Sequence, residues 1–236
     1  PNFYNNNNII EQLGKNKFFS FIIDEQYGGT KLSVNEMSKI LTKMTASNPP
    51  LGVTTMVPNS LGPGELISHY GTEGQKSKYL TGLANGEYVP CFGLTGPNNG
   101  SDALGEIDTG YVIERDGKLL IEIEINKRYI TLAPVANLIG LAMNIEDPNH
   151  LLKNSKSGIS LALLEDSHKG LVKNTYHNPL NTGFPNGTLK GKLLIELDQI
   201  IGGEDEIGNG WNMLMECLAA GRGICLPATA NASSKI

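Results

Sequence analysis

The chain of 236 residues contains few aromatic residues, few cysteines and no cluster of basic residues. Aromatic residues make up 6% of it, and 24 Asp and Glu residues outnumber 19 Lys and Arg residues, for a formal net charge of −5. Without a basic patch, no nucleic-acid partner is expected. Hydrophobic residues make up 39%, which is enough for a folded core and excludes global disorder.

Cysteine and histidine are too sparse and too irregularly spaced to predict a metal site. The three cysteines form no CxxC pair, and Cys217 and Cys225 would lie about 12 Å apart on one helix, too far for a disulfide. We therefore expect a reducing, cytoplasmic compartment, and association with the inner membrane is left open. Metal-ligand spacing is also absent among the four histidines, which are His69, His150, His168 and His177.

Two long stretches carry no charge, but neither is expected to cross a membrane. Met44–Gly64 holds four prolines, and Tyr129–Ile145 holds one proline and is borderline in length. No signal peptide opens the chain. Because the first residue is Pro1, we expect a processed chain or a fragment of a longer one.

Local signals predict two helices in the first third of the chain. A capping box of Ser33 and Glu36 begins one helix, which stops at Asn48 because two prolines follow. We expect a Gly/Pro-punctuated segment after it. A second capping box at Thr72–Gln75 begins a helix that ends at Asn85-Gly86. The buried face of the first helix is predicted to contain Met37, Ile40, Leu41 and Met44.

The middle of the chain is predicted to form β-strands. Tyr111–Glu114 and Leu119–Ile125 read as a hairpin turning at Asp116-Gly117. Further strand-like runs are Leu138–Met143, Ile159–Leu164 and Leu189–Leu197. The helical pattern then returns, with one face predicted to contain Trp211, Leu214, Met215 and Leu218.

These patterns predict an α+β fold in three parts. Residues 1–90 would be a partial N-terminal helical domain, and residues 91–201 an antiparallel, barrel-like middle β domain. Residues 202–236 would begin a C-terminal helical bundle with its first helix. An apolar stripe on that helix would need further helices to cover it.

A Gly/Asn-rich loop at Phe92–Asp102 is one candidate for binding chemistry. Such a loop leaving a strand exposes several backbone N–H groups on one side, which suits anionic or polar acceptors. The hydroxyl groups of Thr95 and Ser101 add donors and acceptors. The alternative is an ordinary surface turn before Asp102.

The second candidate is the strand segment Lys127–Thr131. Tyr129 and Thr131 are two residues apart, so on a regular strand their side chains point to the same face. There they would stack on a planar ring and hydrogen-bond its edge. The alternative is a sheet-face pair without a ligand.

Several motifs, spread in order over nearly the whole chain, resemble motifs of the acyl-CoA dehydrogenase family. The loop and strand just described are similar to the family's flavin loop and its aromatic-Ile-Thr strand. Their residue sequences most resemble those of the bacterial long-chain branch. The matching segments are Asp24–Gly29, Tyr70–Lys76, Lys78–Leu80, Leu94–Asp102, Arg128–Thr131 and Gly208–Arg222.

The resemblance implies FAD as the cofactor and assigns residues to it. Thr131 would hydrogen-bond the reducible edge of the isoalloxazine ring, and Tyr129 would pack on its face. Ser101 and Arg222 would contact the acyl-CoA substrate. The full set of cofactor-binding residues implied is Phe92, Leu94, Thr95, Gly100, Ser101, Tyr129, Ile130 and Thr131.

The reaction implied is α,β-dehydrogenation of fatty acyl-CoA in β-oxidation, with electrons passed to an electron-transfer flavoprotein; family members are usually homo-oligomers. The catalytic Glu of most members would lie beyond residue 236, and the minority position before Arg222 holds Gly221. We therefore assign no catalytic base, and we expect this chain alone to bind FAD weakly and to be inactive. The alternatives are an acyl-CoA oxidase and a non-catalytic β-domain binding module.

The flavin loop also departs from the family pattern. Gly96 stands where the family usually has Glu, and Asn98-Asn99 stand where it usually has a Gly-Ala pair. We expect altered loop geometry or partner contacts, without loss of flavin binding.

Overall fold

The structure is a computed structural model that describes residues 7–154, 156–173 and 175–235, with the side chains of Asn7 and residues 218–220 left out. The α-helices are α1 (Asn7–Lys15), α2 (Val34–Ser47), α3 (Pro49–Ser60), α4 (Gly64–Tyr70), α5 (Glu73–Gln75), α6 (Thr81–Asn85) and α7 (Gly210–Ser233), with a π-helical turn at Lys76–Leu80. The strands are β1 (Pro90–Gly93), β2 (Thr109–Arg115), β3 (Lys118–Thr131), β4 (Leu138–Glu146), β5 (Gly158–Glu165) and β6 (Asn186–Glu196). Short 3-10 turns lie at Glu25–Tyr27, Pro179–Asn181, Leu197–Gln199 and Glu204–Glu206.

Both predicted capping boxes are present. Ser33 caps α2 and exchanges hydrogen bonds with Glu36, and Thr72 does the same with Gln75 at the start of α5. Gly86, with φ +80°, ends α6 in the left-handed conformation. These signals depend only on residues three or four apart, which explains why the sequence predicts them correctly.

The Gly/Pro-punctuated segment after α2 contains a helix, α3, that the local sequence signals did not indicate. Asn48 ends α2 and at once caps α3, because its Oδ1 accepts the Leu51 N–H at 3.1 Å. Pro49 and Pro50 occupy the first turn of α3, where the missing N–H costs no intrahelical hydrogen bond. The prolines therefore begin a helix as well as ending one.

The predicted hairpin is present between β2 and β3. Asp116 and Gly117 occupy its two-residue turn with φ of +54° and +73°, and Arg115 pairs with Lys118. Positive φ at both turn positions is what a type I′ hairpin requires. Asp-Gly supplies it at low strain.

The six strands form one barrel-like sheet, and the predicted α+β class is confirmed. Its order is β1-β4-β2-β3-β6, with β5 on the other edge of β4. The sheet is mixed rather than wholly antiparallel, because β1 and β2 run parallel to β4 along its two halves. A bridge between Ala162 and Ile200 brings the chain after β6 against β5 and nearly closes the barrel.

Helix α7 packs against the N-terminal helices through a face that overlaps only in part with the one predicted, and Trp211 is partly buried there. Leu214 is buried as expected, but Met215 is 42% exposed, while Met213 and Cys217 are buried. The predicted side-chain contact of Leu218 lies outside the described residues. Because α7 contacts α2, α3 and α4 as well as β5, its buried face is set by partners distant in sequence.

Two further features are absent from the described residues. No helix there combines the length and the apolar character needed to cross a membrane. Within the same residues, no group of three or more His, Cys, Asp or Glu side chains is placed to hold a metal ion. The domain boundaries at 90/91 and 201/202 stay predictions.

Candidate functional site

A pocket of about 210 Å³ lies where the ends of β1 and β3 meet α3 and α7. The predicted site residues that border it are Phe92, Leu94, Thr95, Tyr129, Ile130, Thr131 and Arg222. Three apolar residues not predicted from the sequence also border it: Val57, Leu61 and Leu226. Gly100 and Ser101 are exposed in the bend beyond the loop, outside the pocket wall.

The loop and the strand that border the pocket are joined directly. The backbone N–H of Arg128 donates to the carbonyl of Thr95 at 2.9 Å. The two segments are more than thirty residues apart in sequence, so this contact is a consequence of the sheet topology. It brings the Thr95 and Thr131 hydroxyl groups to one pocket.

A β-bulge shapes the strand side of the pocket. The pairing of β3 with β6 shifts between Lys127 and Ile130, and Tyr129 has φ +58°. Arg128 and Tyr129 are therefore both exposed, and Ile130 is buried. The simple alternation used to place Tyr129 and Thr131 on one face is broken by the bulge, although both residues border the pocket.

The ring of Tyr129 is held by two planar neighbours. The His177 ring lies 4.5 Å away between centroids, tilted by 37°, and the Arg128 guanidinium lies 4.8 Å from the Tyr129 ring centroid. Aromatic pairs at this separation are attractive. Nothing local in the sequence indicates this contact of His177.

The Thr131 hydroxyl also has a partner that the sequence does not indicate. Asn186, opposite Thr131 in the β3–β6 pairing, donates from Nδ2 to Thr131 Oγ1 at 3.4 Å and to the Tyr129 carbonyl at 3.3 Å. A hydroxyl that accepts from an amide keeps its own proton for another acceptor. Asn186 thus orients Thr131 as a donor.

Comparisons with known proteins find similarity to acyl-CoA dehydrogenases. The family model described as "Acyl-CoA dehydrogenase, N-terminal domain" matches residues 2–87. An acyl-CoA dehydrogenase of Bacillus subtilis is 28% identical over 217 residues, which are 91% of this chain and 54% of that protein.

Residues 2–87 thus match the acyl-CoA dehydrogenase family, and nearly the whole chain is similar to an acyl-CoA dehydrogenase.

Two further comparisons concern a curated relative and a solved structure. Protein HemX of Proteus mirabilis is 44% identical over 96 residues, which are 40% of this chain and 56% of that protein. The crystal structure of an acyl-CoA dehydrogenase complexed with FAD from Bacillus anthracis has a TM-score of 0.82 at 24% identity, covering 97% of this chain and 36% of that one. The chain spans about half the length of the first curated relatives that it matches.

Arg222 places a positive charge at the α7 side of the pocket. It is exposed and borders the pocket together with Leu226, one helical turn further on. Its neighbour Gly221 is buried against α3, and a Cβ there would lie 2.3 Å from the Ser60 carbonyl oxygen. Position 221, the minority position of the family base, therefore has no room for a side chain.

Beneath the loop lies a charged pair with one fully buried and one partly exposed member. Lys127 is fully buried, and its Nζ lies 2.9 Å from Asp108 Oδ2. Burial lowers the pKa of Lys127, and the Asp108 carboxylate opposes that shift. The ammonium also donates to the carbonyl of Leu94 at 3.3 Å, so this pair touches a pocket-lining residue.

Proposed function

We propose that this chain forms the flavin site and one wall of the acyl-thioester site of an FAD-dependent acyl-CoA dehydrogenase. The observation that carries the proposal is the convergence of Thr95 and Thr131 on one pocket, with Tyr129 beside them. The similarity of residues 2–87 to the family and the FAD complex of a structural neighbour support the cofactor. The residue sequences of the loop and strand motifs support the long-chain branch and fatty acyl-CoA as the substrate class.

The residues present fit a planar, largely uncharged ring. The strand and loop offer neutral hydroxyl donors, and Asn186 leaves the Thr131 proton free to point at an acceptor. The Tyr129 ring, stacked on His177, gives a flat surface at the rim. The volume of about 210 Å³ is below that of pockets that enclose whole drug-sized ligands, which suits one part of an extended cofactor.

When bound, FAD would accept a hydride from the β-carbon of the acyl thioester while a base takes the proton from the α-carbon. In this proposal Thr131 holds the reducible edge of the ring by a hydrogen bond. Arg222 lies toward the acyl thioester, and the apolar side chains of Val57 and Leu61 exclude water from the acyl side. We propose that the base comes from outside these 236 residues.

The first test is a titration of the purified protein with FAD, followed by flavin absorbance and fluorescence. We expect saturable binding to the wild type and about tenfold weaker binding to Thr131→Val, because one hydrogen bond to the ring is lost. Thr182→Val is the matched control, since Thr182 is exposed and bonds only its own turn. A wild type that binds no FAD would overturn the proposal, and equal affinities of the two variants would overturn the role of Thr131.

The electron acceptor is tested separately. We propose an electron-transfer flavoprotein, a cytoplasmic setting and a homo-oligomeric whole protein, as the family resemblance implies. Flavin bound to the protein and reduced chemically should then be reoxidised faster by an electron-transfer flavoprotein than by dissolved oxygen. Rapid reoxidation by oxygen alone would favour the oxidase alternative.

A further inference from the structure

An ion pair of a fully buried lysine and a partly exposed aspartate (17% of its side chain) lies behind the pocket and is not used by the function proposed above. Lys127 on β3 is 0% exposed, and its partner Asp108 precedes β2. Removing two charges from water costs more than their attraction commonly returns. A pair in this position therefore calls for a role beyond stabilising the fold.

The acidic partner, Asp108, is held by hydrogen bonds from two neighbouring strands. Asp108 Oδ2 accepts the backbone N–H of Asn126 at 3.2 Å, and the Asp108 carbonyl accepts the backbone N–H of Asn144 at 2.9 Å. Its carboxylate is thus fixed by β3 and its backbone by β4, immediately before β2 begins. A fixed carboxylate fixes the ammonium of Lys127.

The ammonium acts on the loop at one atom. The Leu94 carbonyl accepts from Lys127 Nζ at 3.3 Å and from Asn99 Nδ2 at 3.1 Å. The peptide bond between Leu94 and Thr95 is trans, so the Thr95 N–H points away from that carbonyl. A cation on the carbonyl side polarises the peptide and makes its N–H a stronger donor.

We propose that Lys127, held by Asp108, is a positioning residue of the flavin site. It acts through the Leu94–Thr95 peptide and favours the reduced, electron-rich form of the flavin in the pocket. The proposal rests on the proposed function. Two effects favour the same outcome: the polarised Thr95 N–H, and the positive charge of Lys127 in a water-poor interior, where charges act strongly. The expected result is a higher midpoint potential of the bound flavin.

The test removes both charges together, because removing one would leave the other buried and unpaired. The variant Lys127→Gln/Asp108→Asn keeps polar groups that hydrogen-bond each other, and Lys127→Met/Asp108→Leu is the apolar version in case the first unfolds. The control is Lys192→Gln/Glu124→Gln on the same strand pair, where the two charges are 3.6 Å apart and 81% and 71% exposed. Thermal unfolding checks that each variant is folded.

The readout is the midpoint potential of flavin bound at saturating FAD. We expect the double variants to favour oxidised over reduced flavin by about tenfold more than the wild type, a fall of about 30 mV for a two-electron couple. The exposed control pair should leave the potential unchanged. Folded double variants with the wild-type potential would overturn this inference and leave the proposed function standing, whereas a wild type that binds no FAD would overturn both.

Discussion

The side chain of Asn99 closes onto the backbone of Gly96, three residues earlier. Its Oδ1 accepts the Gly96 N–H at 2.6 Å, while its Nδ2 donates to the Leu94 carbonyl at 3.1 Å. Asn99 is only 3% exposed, and a Cβ on Gly96 would lie 2.7 Å from Oδ1. The amide of Asn99 therefore occupies the space that a side chain at position 96 would need, which links the two departures of this loop from the family pattern.

Gly96→Ala should destabilise the protein by about 1–3 kcal/mol, because the added methyl group displaces the Asn99 amide from its two hydrogen bonds. In Gly96→Ala/Asn99→Ala the cost should be clearly less than the sum of the two single costs, since the amide is already absent. Urea unfolding measures all three. Gly100→Ala is the control, because a Cβ there meets nothing within 4 Å. Strictly additive costs would contradict this coupling.

Helix α7 contains two glycines whose surroundings differ sharply. A Cβ on Gly221 would lie 2.3 Å from the Ser60 carbonyl, whereas a Cβ on Gly223 meets nothing within 4 Å. We expect Gly221→Ala to cost about 3 kcal/mol or more by forcing α7 from α3, and Gly223→Ala to stabilise by about 0.5–1 kcal/mol through helix propensity. Denaturant midpoints compare the two, and similar values would contradict the close approach of α3 and α7.

Local sequence signals account for much of the fold. The Asp116-Gly117 turn and the Ser33 capping box were predictable because each depends on backbone geometry within four residues. The parallel pairing of β1 with β4 was not, because no local pattern states which strands become neighbours after the 94–108 connection. The α3 helix was missed because a pair of prolines can end one helix or begin the next. The sign that a helix begins here is Asn48, whose side chain caps α3.

Part of the site was predictable because its loop and strand are each short, continuous segments of the sequence. Motif resemblance indicated the loop and the strand, and the structure brings them together through the Arg128–Thr95 hydrogen bond. The bulge at Tyr129 and the contact of Asn186 with Thr131 depend on the register of β6 against β3. That register is set by residues far apart in sequence, so single-strand alternation misses it.

Arg222→Ala should weaken binding of fatty acyl-CoA about tenfold while changing FAD affinity little. On the proposed function, the guanidinium faces the acyl thioester or its CoA phosphates, and charge-assisted hydrogen bonds are worth about 1.5–3 kcal/mol. Isothermal titration of the FAD-loaded protein measures both affinities. Arg115→Ala removes an equal charge from the exposed hairpin turn and should change neither. Equal losses in the two variants would remove Arg222 from the substrate site.

All three cysteines should be unreactive in the folded protein. Burial raises the pKa of Cys91 and of Cys217 to about 12, and it also raises the pKa of Cys225. A raised thiol pKa leaves less thiolate at any given pH, and thiolate is the reactive form. At pH 8, a pKa of about 12 in place of 9.0 lowers the thiolate fraction about a thousandfold. Reaction of Cys91 and Cys217 with a disulfide reagent should therefore be at least that much slower in buffer than in urea, where all three thiols are exposed, and Cys225 should also react more slowly in buffer. Rapid labelling of one thiol in buffer would show that its side chain is accessible and contradict its burial.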